Sequence, residues 1–420
     1  MKKLFVFCFI VGFILTGISP IFAGGVDNKH NFSAEYVRTL NRNAATDSAD
    51  AVAYNPAGVM QMESGLYANL SLQYAIKDYS HSIAGNDFES DVPSIVPGLF
   101  FLYKEDKWAT FAALTIPCGG GKVEYEDGSA TTVALGQGYM IGVNQVLGGM
   151  GVPSVFWYNN IKNQELESES VYYGCTVGGA YKLNDMLSVS LGVRYIDAQK
   201  EAKGAVTIGA PNNPLGITDR SVSIEYEQTA DGWGGILGFN IVPSKELNIG
   251  LRYETKTSLE FETDVNRDDL GILTDGDKSQ RDLPALLGLG ASYAILPNTR
   301  LEANLTYYLQ DSADWDGAEE NVNNGYDIGI ALEYAFNPQL KGSVGYLYTE
   351  TGIDPDYMTP EAPELDAHSI AVGAAYEAIP NLDLNFGVTR TFYQSDTTSS
   401  GMELEKDVIL IAFGIQYKFM

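Results

Sequence analysis

Many stretches of the sequence alternate strictly between apolar and polar residues. In LEANLTYYLQ (301–310) the odd positions carry Leu, Ala, Leu, Tyr and Leu, whereas the even positions carry Glu, Asn, Thr, Tyr and Gln. The stretches 66–77, 325–336 and 382–388 show the same repeat of two. Because successive side chains of a β-strand point to opposite faces, this pattern predicts strands with one apolar face and one polar face.

The connections between these stretches alternate in length along the chain. Short connections stand near 104–107, 183–185, 243–246, 296–299, 337–339 and 379–381. Longer ones stand near 80–92, 118–168, 200–220, 263–281, 311–323, 350–366 and 395–405. The pattern predicts fourteen strands, at about 64–78, 94–104, 107–117, 168–183, 186–200, 220–242, 246–263, 281–296, 299–311, 323–337, 339–351, 366–379, 381–395 and 405–419. An even strand number with short turns on one rim and long loops on the other is typical of a bacterial outer-membrane barrel.

The alternative architecture is a soluble β-sandwich. A sandwich would have short connections at both ends and its apolar faces packed on one another, whereas a closed barrel leaves no free sheet edge. The last strand also favours the barrel, because Phe413, Tyr417 and Phe419 lie on one face, close to the C-terminal aromatic pattern that barrel-assembly machinery recognises. Met420 after the Phe is a small departure from that pattern. We therefore predict an all-β fold, a 14-stranded antiparallel transmembrane β-barrel.

The chain begins with a typical export signal. Two lysines, an apolar run from Leu4 to Leu15 and the small residue Ala23 predict a secretory signal peptide over residues 1–23. Its removal deletes two lysines and no acids, which takes the formal charge from −28 to −30. Such a charge argues against nucleic acid as a partner. The two cysteines left, Cys118 and Cys175, form neither a disulfide framework nor the spacing of a metal site, and no cofactor is expected.

The segment before the first strand, residues 24–62, is not strand-like. It contains ATDSADAVAYNPAGV (45–59), which ends in a turn by composition, since Pro fixes φ, Gly permits positive φ and Asn turns locally. The turn residues are Asn55, Pro56, Ala57 and Gly58. Such a segment can fold into the lumen of a wide barrel as a plug.

The signal peptide, this segment and the fourteen strands together resemble the FadL/TodX family of outer-membrane transporters of long-chain fatty acids and hydrocarbons. Members carry an Asn-Pro-Ala turn in an N-terminal hatch. The resemblance divides the chain into a signal peptide (1–23), a hatch (24–62) and a barrel (63–420) in the outer membrane of a Gram-negative bacterium. Here the turn positions the hatch or merely ends a periplasmic cap.

The resemblance implies passive transport of a hydrophobic molecule. Family members capture it in an apolar extracellular groove, pass it to an internal pocket and release it sideways into the membrane lipids, through a wall opened by an inward kink in the third strand. In this sequence the predicted third strand breaks at Pro117, Gly119 and Gly120, where pairing is expected to fail. The break is either that kink or the end of the strand at its loop.

Two groups of residues are candidates for ligand binding. The loop after the third strand is unusually apolar, and it forms either a capture surface or a local core, two roles that can coexist. Its candidates are Met140, Val143, Leu147, Met150, Phe156 and Trp157. Strand parity directs Arg194 and Arg252 into the lumen, where they either pair with acids or receive a carboxylate headgroup.

Three other functions compete with hydrophobic transport. A general aqueous porin conflicts with the predicted hatch and the apolar loop. A surface-binding or adhesion barrel is supported only by the acidic loops. An enzyme is disfavoured because no Ser/His/acid set is readable in the sequence. Fatty acids and aromatic hydrocarbons both remain open as ligands.

Overall fold

The computed structural model describes residues 32–419. The predicted signal peptide and residues 24–31 of the predicted hatch lie outside the described residues. Among residues 32–419, no helix has both the length and the hydropathy to cross a bilayer.

Fourteen antiparallel strands form a closed barrel, as the sequence predicts. The strands are β1 Gly65–Ile83, β2 Ser94–Lys104, β3 Trp108–Tyr125, β4 Asn160–Lys182, β5 Leu187–Gly209, β6 Arg220–Ile241, β7 Leu247–Glu254 with Glu260–Asp268, β8 Lys278–Gln280 with Ala285–Leu296, β9 Thr299–Leu309, β10 Gly325–Asn337, β11 Leu340–Glu350, β12 Ala367–Ile379, β13 Leu382–Tyr393 and β14 Glu403–Lys418. Each pairs with its neighbours in the chain, and β1 pairs with β14 from Tyr67↔Lys418 to Ser82↔Glu403, which closes the ring. Two short strands, Asn86–Ser90 and Asp396–Thr397, extend the rim beside β1 and β14.

The alternation of the sequence sets which side chains face out. On β1, Leu70, Leu72 and Ile76 are exposed on the outer surface, whereas Asn69 and Ser71 are buried in the lumen. The same parity leaves an apolar outer band on every side of the barrel, which is the surface that a transmembrane barrel presents to lipid.

Several strands are longer than the sequence pattern predicts. β3 continues to Tyr125 rather than ending near 117, and β4 begins at Asn160 rather than near 168. A membrane-spanning strand needs about 9–11 residues, so the 23 residues of β4 extend well past the bilayer. The extra part, NIKNQELESES, has no apolar face because it stands in water, and alternation therefore did not reveal it.

Within residues 32–419 the helices are few and lie in the lumen or at the extracellular rim. They are α1 Ala34–Val37, α2 Ala51–Tyr54 and α3 Ala130–Gly149, with 3₁₀ turns at Gly58–Gln61, Ser154–Phe156, Gln310–Ser312, Ala318–Asn321 and Pro355–Tyr357. Ser33 caps α1 by accepting a hydrogen bond from the backbone N–H of Tyr36.

Residues 32–62, the described part of the hatch, fill the lumen at the level of the short turns. Most of their side chains are buried. The hatch backbone lies so close to the wall that a Cβ would not fit at several lumen-facing glycines. At Gly345 a Cβ would stand 1.9 Å from the Thr39 carbonyl oxygen, and at Gly250 it would stand 2.1 Å from that of Asn43. We call the set that contacts the hatch in this way the glycine collar: Gly98, Gly250, Gly290, Gly345, Gly373 and Gly387.

Candidate functional site

A cavity lies in the lumen on the extracellular side of the hatch. Tyr36 and Leu40 of the hatch form its floor, and apolar side chains such as Leu347, Val408 and Leu410 form much of its wall. The space between these walls, with the open solvent at its mouth, amounts to about 1030 Å³.

One side of this cavity coincides with a gap in the barrel wall. β2 pairs with β1 along its full length, but it pairs with β3 only from Leu99↔Leu114 to Lys104↔Ala109. Above that point the segment Ser94–Gly98 has no register partner on β3. The residues on the two edges, Ile95 and Ile116 among them, line the cavity itself. The gap therefore joins the lumen to the outer surface of the barrel.

The gap arises from the irregular course of β3. Its pairing with β4 shifts register twice, between Thr115 and Cys118 and between Cys118 and Gly121. Gly119 and Gly121 both have positive φ, at 101° and 72°, a backbone conformation that glycine adopts without steric cost. The predicted break at Pro117, Gly119 and Gly120 is thus a double bulge inside a continuing strand. Bulges bend a strand and interrupt its ladder.

Two lysines stand at the cavity wall beside the gap. The Lys77 ammonium, on β1, donates hydrogen bonds to the backbone carbonyls of Gly120 and Lys122, at 2.7 and 2.9 Å. The Lys406 ammonium, on β14, lies 4.8 Å from the ring centre of Tyr79. Both lysines line the cavity. They place two cationic groups in a lining that also includes polar side chains, such as Gln73 and Thr391, and the carboxylate of Asp327.

The predicted loop residues are brought together on α3 and the turn after it. Ser129 begins α3 with a capping box shared with Thr132. Met140, Val143 and Leu147 are half-buried and pack on a core of Tyr158, Val206, Ile208 and Val222. Phe156 and Trp157 are also half-buried, whereas Met150 is exposed. The opposite side of the element leaves further apolar side chains in solvent: Ile141, Val146 and Val155.

The two predicted arginines lie away from the cavity. Arg194 forms an ion pair with Glu254 at 2.6 Å, and Arg252 contacts the same carboxylate at 3.2 Å. Arg252 also donates to the backbone carbonyl of Ala53 in the hatch. Arg252 thereby fastens the hatch to the wall, whereas Arg194 pairs within the wall, and neither lines the cavity that Lys77 borders.

The hatch turn is seated against β5, β6 and β7. The amide of Asn55 donates to the Ala45 carbonyl at 3.0 Å and to the Asn240 side chain at 2.7 Å. Ser188 donates to the carbonyl of Ala57 at 2.8 Å, and Pro56 packs on the wall at Gly238. At Gly58 a Cβ would stand 2.4 Å from the Ala45 carbonyl oxygen, so the compact turn requires glycine there. The turn thus anchors the hatch and does not line the cavity.

A network of charges, buried at Arg38 and Glu333 and half-buried at Arg300 and Asp47, joins the hatch to β9 and β10. Arg38 pairs with Glu333 at 2.5 Å, and Arg300 pairs with Asp47 at 3.0 Å and with Glu333 at 3.3 Å. Burial by itself would raise the pKa of Asp47, but Arg42 and Arg300 hold it well below its usual range. Removing one member would leave its partner charged and buried, which is costly.

Comparisons with known proteins agree with this geometry. The family model described as outer membrane protein transport protein (OMPP1/FadL/TodX) matches residues 164–419. A Pseudomonas aeruginosa FadL homologue has a solved structure that matches with a TM-score of 0.67 at 16% identity, covering 92% of this chain and 98% of that one. The Pseudomonas putida toluene transporter TodX matches with a TM-score of 0.65 at 14% identity, covering 93% and 99%.

Other comparisons add less. The Ralstonia pickettii toluene transporter TbuX matches with a TM-score of 0.59 at 15% identity, covering 91% of this chain and 99% of that one. At such identities the solved structures establish the fold alone. A search of curated protein sequences finds no match.

Sequence reasoning missed Lys77, Lys406 and the glycine collar. Parity alone directs Lys77 into the lumen, but nothing local marks it off from other polar lumen residues. The collar had a usable signal, since glycine recurs at lumen-facing positions of successive strands, such as Gly345, Gly373 and Gly387. Glycine inside a strand often marks the close approach of another backbone.

Proposed function

This chain belongs to the OMPP1/FadL/TodX family of outer membrane transport proteins, and from that premise we propose that it carries hydrophobic small molecules, long-chain fatty acids foremost, passively through the lumen and sideways into the outer membrane. The observation that carries the proposal is the cavity whose wall opens between β2 and β3. A hatch below blocks the straight path to the periplasm, so the gap is the exit that remains for an apolar molecule.

The chemistry of the cavity supports a long-chain carboxylate as the first candidate ligand. Apolar walls gain about 0.8 kcal/mol for each methylene removed from water. The ammonium groups of Lys77 and Lys406 offer a carboxylate a pair of positive charges at one end. Long-chain carboxylates combine both features. The solved relatives named as toluene transporters make aromatic hydrocarbons the second candidate, since such a molecule uses the apolar walls alone.

The exit is tested by closing the gap with a removable covalent bond. A Cβ on residue 121 would stand 3.2 Å from the Ser94 Cβ, near the separation found in disulfides. Ser94→Cys with Gly121→Cys, in a chain whose native Cys118 and Cys175 are replaced by serine, should form a disulfide across the gap. Uptake of radiolabelled oleate by cells that lack other fatty acid transporters should fall on oxidation and recover on reduction.

The matched control pairs Ser94→Cys with Gly120→Cys. A Cβ on residue 120 has no heavy atom within 4 Å, Ser94 included, so no bond can form there. Full oleate uptake through a barrel whose 94–121 disulfide is complete would show that the ligand leaves elsewhere and would overturn the lateral route.

Initial capture is assigned to the exposed apolar side of α3. Val146→Asn with Met150→Gln should weaken oleate binding to whole cells several-fold, because each side chain offers apolar contact outside the local core. Leu215→Gln is the control, since Leu215 is equally exposed but lies on another loop. If the control variant loses as much binding as the α3 variant, α3 is not the capture surface.

A further inference from the structure

Polar contacts that hold the gap closed are few and centre on one lysine. At the upper end, the backbone N–H of Glu124 donates to Ser90 at 2.9 Å. Between that contact and the Leu99↔Leu114 pair, Lys77 reaches from β1, past the end of β2 at Ser94, to two carbonyls of β3. Within the described chain, the other hydrogen bond to these carbonyls that crosses the gap is a long one, 3.4 Å from Ser94 to Gly120.

Of the two carbonyls that Lys77 binds, that of Gly120 lies in the second bulge of β3, and that of Lys122 lies just beyond it, where β3 is again in register with β4. Strand bulges leave backbone groups without a ladder partner, and an unpaired backbone carbonyl in a buried position costs free energy comparable to a lost hydrogen bond. Lys77 is itself buried. It therefore stabilises the bulge at the place where the wall is weakest, while its ammonium also borders the cavity.

We propose that Lys77 is a ligand-sensitive latch: a carboxylate in the cavity draws its ammonium off the Gly120 and Lys122 carbonyls and thereby frees the bulged segment of β3 to widen the gap. This inference rests on the proposed function and names the residue that couples ligand charge to exit. A carboxylate adds a full opposite charge that a neutral carbonyl lacks, so it competes for the same three N–H donors. An uncharged molecule of the same length does not attract the Lys77 ammonium in this way.

The test measures backbone amide exchange of residues 115–122 by mass spectrometry, with the barrel in lipid nanodiscs. The probes are oleate and its uncharged methyl ester. In the unaltered protein, oleate should raise exchange of the segment and the ester should not. In Lys77→Met, which removes both hydrogen bonds, the exchange without any probe should already be faster by at least about tenfold, the factor implied by losing even one hydrogen bond to a charged group, and oleate should add nothing.

Two further variants keep the test decisive. Lys77→Arg retains a cationic donor and should behave like the unaltered protein. Lys122→Met is the matched control, because the Lys122 side chain pairs with Glu124 and Glu167 and does not cross the gap. Slow exchange in a correctly folded Lys77→Met barrel, or an equal response to oleate and its ester, would overturn the latch.

Binding of both radiolabelled probes to the same samples separates the two proposals. Binding of oleate and ester without any change in exchange removes the latch and leaves hydrophobic transport standing. If neither probe binds, the proposed function fails, and the absence of an oleate response removes the ligand-sensitive latch as well.

Discussion

Single residues decide how firmly the hatch is held. Glu35 is buried in the hatch, and one of its carboxylate oxygens accepts hydrogen bonds from Ser48, Asn69 and Asn385. Its other oxygen has no hydrogen-bond partner among residues 32–419. Burial and then the nearby charge of Asp50 raise the pKa of Glu35 from 4.5 to about 7.

This shift predicts a pH dependence of hatch docking. The docked hatch binds the Glu35 proton more tightly than an undocked one, so docking should weaken as pH rises from about 4.5 to 7 and level off above. Asp47, whose pKa is lowered, stays charged throughout that window. Protease accessibility of the hatch at pH 5 and pH 8 measures the effect, and Glu35→Gln should flatten it. The same slope in Glu35→Gln would assign the dependence to another group.

At the scale of one element, β3 shows how a strand can be bent without being ended. Gly119 and Gly121 supply positive φ, and at Gly119 the backbone of β4 is too close for a side chain. At Gly119 a Cβ would stand 2.4 Å from the Ser170 carbonyl oxygen of β4, whereas at Gly120 the space is open. Neighbouring glycines of β3 thus differ sharply in whether they leave room for a Cβ.

The contrast gives a paired prediction. Gly119→Ala should lower the free energy of unfolding by about 1–3 kcal/mol, the usual cost of a strained backbone position. Gly120→Ala should be nearly neutral, because its Cβ meets nothing within 4 Å. Guanidinium titration of the refolded barrel in detergent, followed by heat-modifiable migration, measures both. Equal losses would mean that the bulge is more plastic than its geometry indicates.

The same element marks the limit of sequence reasoning. Strand number and facing were predictable because lipid imposes a repeat of two on residues such as Leu305 and Ile330. Above the bilayer that constraint disappears, and the end of β3 and the start of β4 were therefore misplaced. Lys77 was not predictable, because its role depends on carbonyls more than forty positions away.

At the scale of the whole molecule, the hatch blocks the lumen of the barrel, and the gap between β2 and β3 opens the wall to the side. The charge network, the Asn55 turn and the glycine collar fix it to most of the wall at once. Single-channel conductance in planar bilayers should accordingly be small for the intact protein. Deleting residues 24–62 should raise it to that of an open fourteen-stranded pore. A large conductance of the intact protein would contradict the plug.

A single substitution in the glycine collar tests how closely the hatch must fit against the wall. Gly345→Ala should also raise conductance, since the added methyl meets the Thr39 backbone at 1.9 Å. Gly235→Ala, whose Cβ would meet only ordinary contacts of 3.5 Å or more, serves as its control. An unchanged conductance in Gly345→Ala would show that the hatch adjusts its path within the collar.

The spread of the hatch contacts has a consequence for the order of assembly. The hatch bonds Asn69 on the first strand through Glu35 and Gln416 on the last through the Ala49 amide. These two strands meet only when the ring closes. The part of the chain that is made first therefore finds its complete binding site last, after the final strand has been delivered. Its docking then bonds both β1 and β14, the two strands that close the ring, so that the hatch also stabilises the closed state of the barrel around it.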